Sequence, residues 1–257
     1  MNDHVPGWEL VSNEMKAALA KGAEMAGGAA VDPSGGVAEL RRKYFKDRVF
    51  WNEIKPDLAA VEDFAVPGPA GAIPVRLYKP ADMPGLPVLL FAHGGGYVVG
   101  SLDSHDRICR LLAERSGAAV LAVDYRLAPE HKYPAAIEDM EAALAWLLAA
   151  GATRGLDPSR IAIGGDSAGG NIALAVALSQ KAAGKSPFKG LALVYGVYDI
   201  ADTPSRRQFG DEAFSLPMTA MAFFDAAYSR GEADDQDPIR HPAVSYTHLR
   251  AHETGYN

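Results

Sequence analysis

A single cysteine, Cys109, occurs in 257 residues, so no disulfide can form within the chain, and a reducing compartment suits it. Basic charge is in deficit: 25 Lys and Arg stand against 32 Asp and Glu, a formal net charge of -7 that attracts neither nucleic acid nor an anionic membrane. No stretch approaches the roughly 20 consecutive apolar residues of a membrane span. The opening MNDHVPGWELVSNEMKAALA carries Asp3, Glu9 and Glu14 where a secretory leader has a basic start and an apolar run, which makes a cytoplasmic location the expectation. Internal repeats and low-complexity tracts are absent. What remains, 48% hydrophobic and 22% charged residues, is the composition of a soluble globular protein with one large domain or a domain with a lid.

Apolar spacing predicts helices over residues 8 to 25 (Trp8, Val11, Met15, Leu19, Met25) and 37 to 50 (Val37, Leu40, Tyr44, Phe45), separated by the loop GGAAVDPSGG. VEDFAVPGPAGAIPVRLYKP alternates around a Pro/Gly turn and reads as a hairpin. After Pro80, strands and helices take turns. PVLLFAHGGG, AAVLAVDYR, RIAIGGDS and GLALVYGVYD are strands; residues 103 to 115, 134 to 150 and 168 to 183 are helices. Continuous Val/Leu/Ile strands alternating with helices predict an α/β fold whose mostly parallel sheet is covered on both faces. The helix at 134 directs Ile137, Met140, Leu144, Leu147 and Leu148 toward that sheet, and residues 216 to 228 form a further helix with Met221, Phe224 and Tyr228 on one side.

Open parallel sheets place their chemistry at the carboxyl ends of the strands, where both glycine clusters fall. Gly165-Asp166-Ser167-Ala168-Gly169 matches G-x-S-x-G, a strand-to-helix turn that forces a serine into an unfavourable backbone conformation and needs small neighbours. The helix behind it turns free N–H groups and a positive dipole end toward any charge developing at Ser167. HGGGYVVG, residues 93 to 100, follows another strand, and the N–H groups of Gly94, Gly95 or Gly96, with that of Ala168, suit an oxyanion hole. A glycine run is also an ordinary flexible loop, and His93 reads as a structural hydrogen-bonding group of that loop. GGDSAGG lacks the Lys-Ser/Thr of a phosphate loop.

Together these stretches resemble the hormone-sensitive-lipase-like carboxylesterases of the α/β-hydrolase superfamily. HGGGYVVGSLDSHD is similar to the oxyanion motif, VDYRLAPEHKYPAAIED to the following strand and loop, and GDSAGGN to the nucleophile elbow. The resemblance implies an α/β-hydrolase fold with a helical cap and no metal or organic cofactor. It implies Ser167 as nucleophile, an oxyanion hole from Gly94, Gly95, Gly96 and Ala168, and His93, Gly165, Asp166 and Gly169 as supporting motif residues. Tyr125, Arg126, Pro129 and Glu130 brace the site, and Asp166 is a neighbour in the elbow rather than the triad acid. The substrate is a small ester with a short to medium acyl group. The layout expected is N-terminal cap helices over 1–55, a core over 56–203, a second cap segment over 204–235 and a connection over 236–245.

A serine hydroxyl needs a histidine to take its proton and a carboxylate to orient that histidine. In the family both follow the elbow, after two further strands that this chain lacks. Asp237 precedes a proline, as the family's acid often does, yet no apolar strand delivers it. His241, His248 and His252 stand in no matching motif and read as solvated; the i, i+4 pair His248 and His252 has no third ligand for zinc. The ending YTHLRAHETGYN departs from the family after Ser245 and reads as a non-native tail over 246–257, which puts the triad acid and base beyond this chain and leaves it an inactive fragment. Hormone receptors of plants that resemble the family keep the serine and lose the histidine, so a non-catalytic small-molecule receptor is the alternative. An unpaired last strand would also offer a route to a homo-oligomer. Sequencing the source DNA across codon 245 tests the tail: the frame should continue into an apolar strand, and a frame ending as written overturns the reading.

Overall fold

In the computed structural model, residues 8–26, 35–198, 204–210 and 216–242 are described. The hairpin forms as expected, from β1 (Ala60–Gly68) and β2 (Gly71–Lys79), paired antiparallel in register from Ala60 opposite Lys79 to Gly68 opposite Gly71. Four more strands follow: β3 (Leu86–Ala92), β4 (Ala119–Val123), β5 (Leu156–Asp166) and β6 (Phe188–Val194). The order across the sheet is β1-β2-β4-β3-β5-β6, with β2 antiparallel to β4 and every later pair parallel. Helices α1 (Asn13–Ala26) and α2 (Val37–Trp51) precede the sheet, and α3 (Asp106–Ser116), α4 (Ala135–Ala150) and α5 (Ala168–Ala182) make the crossovers. After β6 come α6 (Pro204–Phe209), α7 (Met218–Tyr228) and the single turn α8 (Glu232–Asp235).

Every residue of β4 is buried, and the period-2 alternation of a strand divides it between two cores. Leu121 and Val123 join Leu90, Ile163 and the inner faces of α4 and α5, including Met140, Leu144, Leu147, Ile172 and Val176. Val120 and Ala122 face the other way, toward Tyr78, Phe91, Ala113 and Cys109 beneath α3. Cys109 is therefore a packing residue whose thiol burial pushes well above its ordinary range.

Three details depart from the apolar spacing. Leu148 is 45% exposed rather than packed on the sheet, because Leu144 and Leu147 already occupy the inward stripe of α4. Phe45 on α2 is 48% exposed, whereas Leu40 is buried and Tyr44 half-buried. The face of α1 also stays open, with Met15 at 54% exposure. No helix among the described residues is long and apolar enough to cross a membrane.

The far side of the sheet is thinly covered. Among the described residues nothing pairs with the outer edge of β6, where Leu191 and Val194 are 48% and 45% exposed. An apolar strand with unpaired N–H and C=O groups is a template for association, and a lysine on it is the usual remedy. Leu191→Lys should raise the monomer fraction several-fold on size-exclusion chromatography at micromolar concentration; a wild-type chain that already elutes as a sharp monomer would refute this.

Candidate active site

The turn from β5 into α5 is as tight as the glycine pattern requires. Ser167 adopts φ 53° and ψ -121°, a conformation that a non-glycine residue holds only when its surroundings impose it. Its N–H donates to the carbonyl of Val194 at the end of β6 (2.9 Å), and its own carbonyl accepts from Asn171 (3.3 Å). A Cβ on Gly165 or Gly169 would run into the carbonyl oxygen of Ala92, so these glycines let α5 lie against the end of β3.

The loop after β3 is built around the same contact. His93 is buried, stacked on Tyr125 (ring centroids 4.3 Å apart, 19° between planes), and its Nδ1 lies 2.9 Å from the Gly94 carbonyl. The Tyr125 hydroxyl donates to the His93 carbonyl at 2.6 Å. Burial first, and then the neighbouring His105, push the His93 imidazole down from 6.5 to about 3, so it is neutral at ordinary pH.

Gly95 and Gly96 take φ 129° and 58°, which suit glycine. The Gly94 N–H donates to Asp166 Oδ1 at 2.9 Å, which withdraws Gly94 from the set of expected oxyanion donors. Gly96 and Ala168, by contrast, border the same cavity as Ser167.

That cavity, about 200 Å³ in volume, has a largely apolar wall from Tyr97, Leu216, Met218, Met221 and Phe224. Its position is set by α7. Tyr228 stacks on Tyr97 with ring centroids 3.8 Å apart and planes 1° from parallel, and the Tyr133 N–H donates to the Tyr228 carbonyl at 3.0 Å. Arg240, 2% exposed, is ion-paired with Asp225 on α7 and Asp235 on α8. On the opposite side of the glycine loop, Arg41 of α2 donates to the carbonyls of Val98 (2.8 Å) and Ala128 (2.9 Å) and pairs with Glu130 (2.7 Å). Arg126 pairs with the buried Asp139 at 2.9 Å, holding the loop before α4. Tyr125 is thus tied to the His93 loop, Glu130 to α2 and Arg126 to α4.

Asp237 does not reach the cavity: its carboxylate accepts from the Tyr133 hydroxyl (2.6 Å) and the Ile239 N–H (2.8 Å). His241 corrects the sequence reading. It is 4% exposed rather than solvated, and it borders the cavity with Ser167. Asn171 brings it there, because its Nδ2 donates to the carbonyls of Val197 and Arg240, both at 2.8 Å. No spacing signal marks this contact across 69 residues, nor the pairing of His105 with Asp166. His248 and His252 lie outside the described residues.

Comparison with known proteins follows the same lines. A family model described as alpha/beta hydrolase fold matches residues 89–253. An esterase of Pyrobaculum calidifontis is similar at 35% identity and a TM-score of 0.82, over 91% of this chain and 75% of its own. A thermophilic and thermostable carboxylesterase cloned from a metagenomic library matches at 38% identity and TM-score 0.79, over 82% of this chain and 73% of its own. An ester-hydrolase from the metagenome of Lake Arreo, solved with a bipyridine phosphonate derivative, matches at 32% and 0.84, over 92% and 76%.

The depressed His93 sets a pH dependence. Above 6.5 both folded and unfolded chains carry it neutral; as pH falls from 6.5 toward 3 only the unfolded chain binds the proton, so stability is lost over that window. Urea unfolding at pH 7 and at pH 4.5 should show a smaller acid loss for His93→Gln than for wild type, by up to about 1.4 kcal/mol per pH unit. Equal losses in the two proteins would contradict the buried neutral imidazole.

Proposed function

This chain belongs to the hormone-sensitive-lipase-like carboxylesterases of the alpha/beta hydrolase fold, and on that premise we propose that Ser167 forms an acyl-enzyme with short to medium acyl esters. The observation that carries the proposal is the strained Ser167 at the N-terminus of α5, sharing one apolar cavity with Gly96 and Ala168. Ser167 Oγ attacks the ester carbonyl, and the tetrahedral oxyanion is received by the N–H groups of Gly95, Gly96 and Ala168. The positive end of α5 adds to that stabilisation. The alcohol then leaves with a proton, and water hydrolyses the acyl group from Ser167.

The acyl chain lies against Met218, Met221 and Phe224, which makes α7 part of a cap. The proton-accepting histidine and its carboxylate we assign to sequence downstream of residue 245, since Asp237 is engaged by Tyr133 and Ile239. A second reading rests on one observation: His241 borders the cavity and would itself be the base. The receptor alternative is not favoured, because the similar structures carry the names of esterases.

Hydrolysis of p-nitrophenyl butyrate separates these readings. The 257-residue chain should match its Ser167→Ala control, because losing the base of such a triad costs about a millionfold in kcat. The chain continued past codon 245 in its natural frame should turn over in a manner abolished by Ser167→Ala. Serine-dependent turnover by the 257-residue chain that disappears in His241→Ala would make His241 the base. Turnover by the continued chain that survives Ser167→Ala would end the proposal.

A further inference from the structure

The three glycines of the loop that follows β3 have no side chains, and the Gly95 carbonyl is fixed by the N–H groups of Val98 and Val99 at 3.0 and 2.9 Å. A further hold, on the N–H of Gly94, comes from the residue before the nucleophile. Asp166 Oδ1 accepts the Gly94 N–H at 2.9 Å, and the same oxygen lies 3.5 Å from His105 Nε2. The other ring nitrogen of His105 is fixed in turn, with Nδ1 2.8 Å from Ser104 Oγ. Ser104 Oγ is itself anchored by the N–H of Ser101 at 2.8 Å and the carbonyl of Ser101 at 2.9 Å. His105 is 3% exposed and Ser104 4%, so the chain of contacts runs through the interior. A Cβ on Gly94 would collide with the Asp166 carboxylate, which shows how closely the two segments are pressed together.

We infer that Asp166 and His105 are a positioning pair for the proposed oxyanion loop: Asp166 grips the Gly94 N–H, and His105 fixes the carboxylate that does so. The inference rests on the esterase reading for the purpose of the loop, although the contacts themselves do not. Asp166 is the single residue that adjoins Ser167 in sequence and bonds the glycine loop across 72 residues. Whatever holds its carboxylate therefore adds a side-chain tie between the serine's elbow and the loop, beside the backbone contact at Ala92. Burial pushes the Asp166 carboxyl up, but the nearby His105 ring and the Gly94 N–H outweigh it and hold the carboxyl below its ordinary range. An ionised acceptor makes the stronger grip, since charge-assisted hydrogen bonds are shorter and about twice as strong as neutral ones.

The test reads the loop directly and needs no substrate. Proton–nitrogen correlation spectra of the full chain labelled with 15N-glycine report Gly94, Gly95 and Gly96. Asp166→Asn should move the Gly94 amide upfield and shift or broaden Gly95 and Gly96, while Gly117 and Gly184, remote glycines, stay in place. His105→Leu should disturb the same three signals. His105→Gln should restore them, because its side-chain N–H can reach the carboxylate, whereas leucine fills the space without donating. Signals unchanged in both Asp166→Asn and His105→Leu would overturn the pair. Equal disturbance by His105→Leu and His105→Gln would also overturn it, leaving His105 a space-filling residue. If His105→Leu fails to fold, as collapse of the whole spectrum would reveal, Asp166→Asn and His105→Gln decide: the first must disturb the loop and the second must not. Failure of the esterase reading registers elsewhere, as ester hydrolysis by the chain continued past codon 245 that survives Ser167→Ala, and leaves these spectra unaffected.

Discussion

The structure depends on one close approach, between the carbonyl of Ala92 at the end of β3 and the first turn of α5. Side chains at positions 165 and 169 would fill that space, so the two glycines determine how near the helix lies to the sheet. Because β3 and β5 are neighbours in register, with Ala92 opposite Gly165, the contact also brings the loop after β3 over the elbow. The strained backbone of Ser167 is a consequence: the chain has to reverse within one residue to enter a helix held this close. Strain of this kind persists because packing on both sides over-determines it, with Ile172 and Val176 of α5 fully buried behind it.

The rest of the site is assembled against that contact from segments far apart in the chain. Tyr97 leaves the glycine loop with a positive φ of 65° and stacks on Tyr228, so the loop and α7 constrain each other. Phe224 lies where a side chain on Gly96 would have to go, which ties the glycine to the cavity wall as well as to the backbone turn. Buried charge is handled by pairing: Arg240 between Asp225 and Asp235, and Arg126 on Asp139. Removing one member of such a pair leaves its partner uncompensated, which makes these connections expensive to break even where their net contribution is small.

The alternation of strands and helices after Pro80, the hairpin before it and the position of both glycine clusters were legible because each rests on local rules. A strand buried on both faces must be continuously apolar, and a turn that brings helix to strand must be glycine-rich. Leu148 and Phe45 were misplaced for the converse reason. Periodicity identifies a face, but how wide a stripe is covered depends on what packs against it, and α4 buries Leu144 and Leu147 while leaving the next leucine outside.

Within the site, the local pattern led to Ser167, Ala168 and Gly96, which border one cavity, and to His93, which is buried against the Gly94 carbonyl. It was not enough to separate Gly94 from Gly96, because that distinction lies in which N–H a carboxylate 72 residues away accepts. Nor could it bring His241 out of solvent, since Asn171 draws that segment in by hydrogen bonds to carbonyls that any residue type possesses. Residue identity and short spacing therefore determined the elbow and the sheet, where the chemistry is steric and local. The tertiary structure alone decided which residues border the cavity and which side chains hold them, because hydrogen bonds between distant segments leave no periodic mark in a sequence.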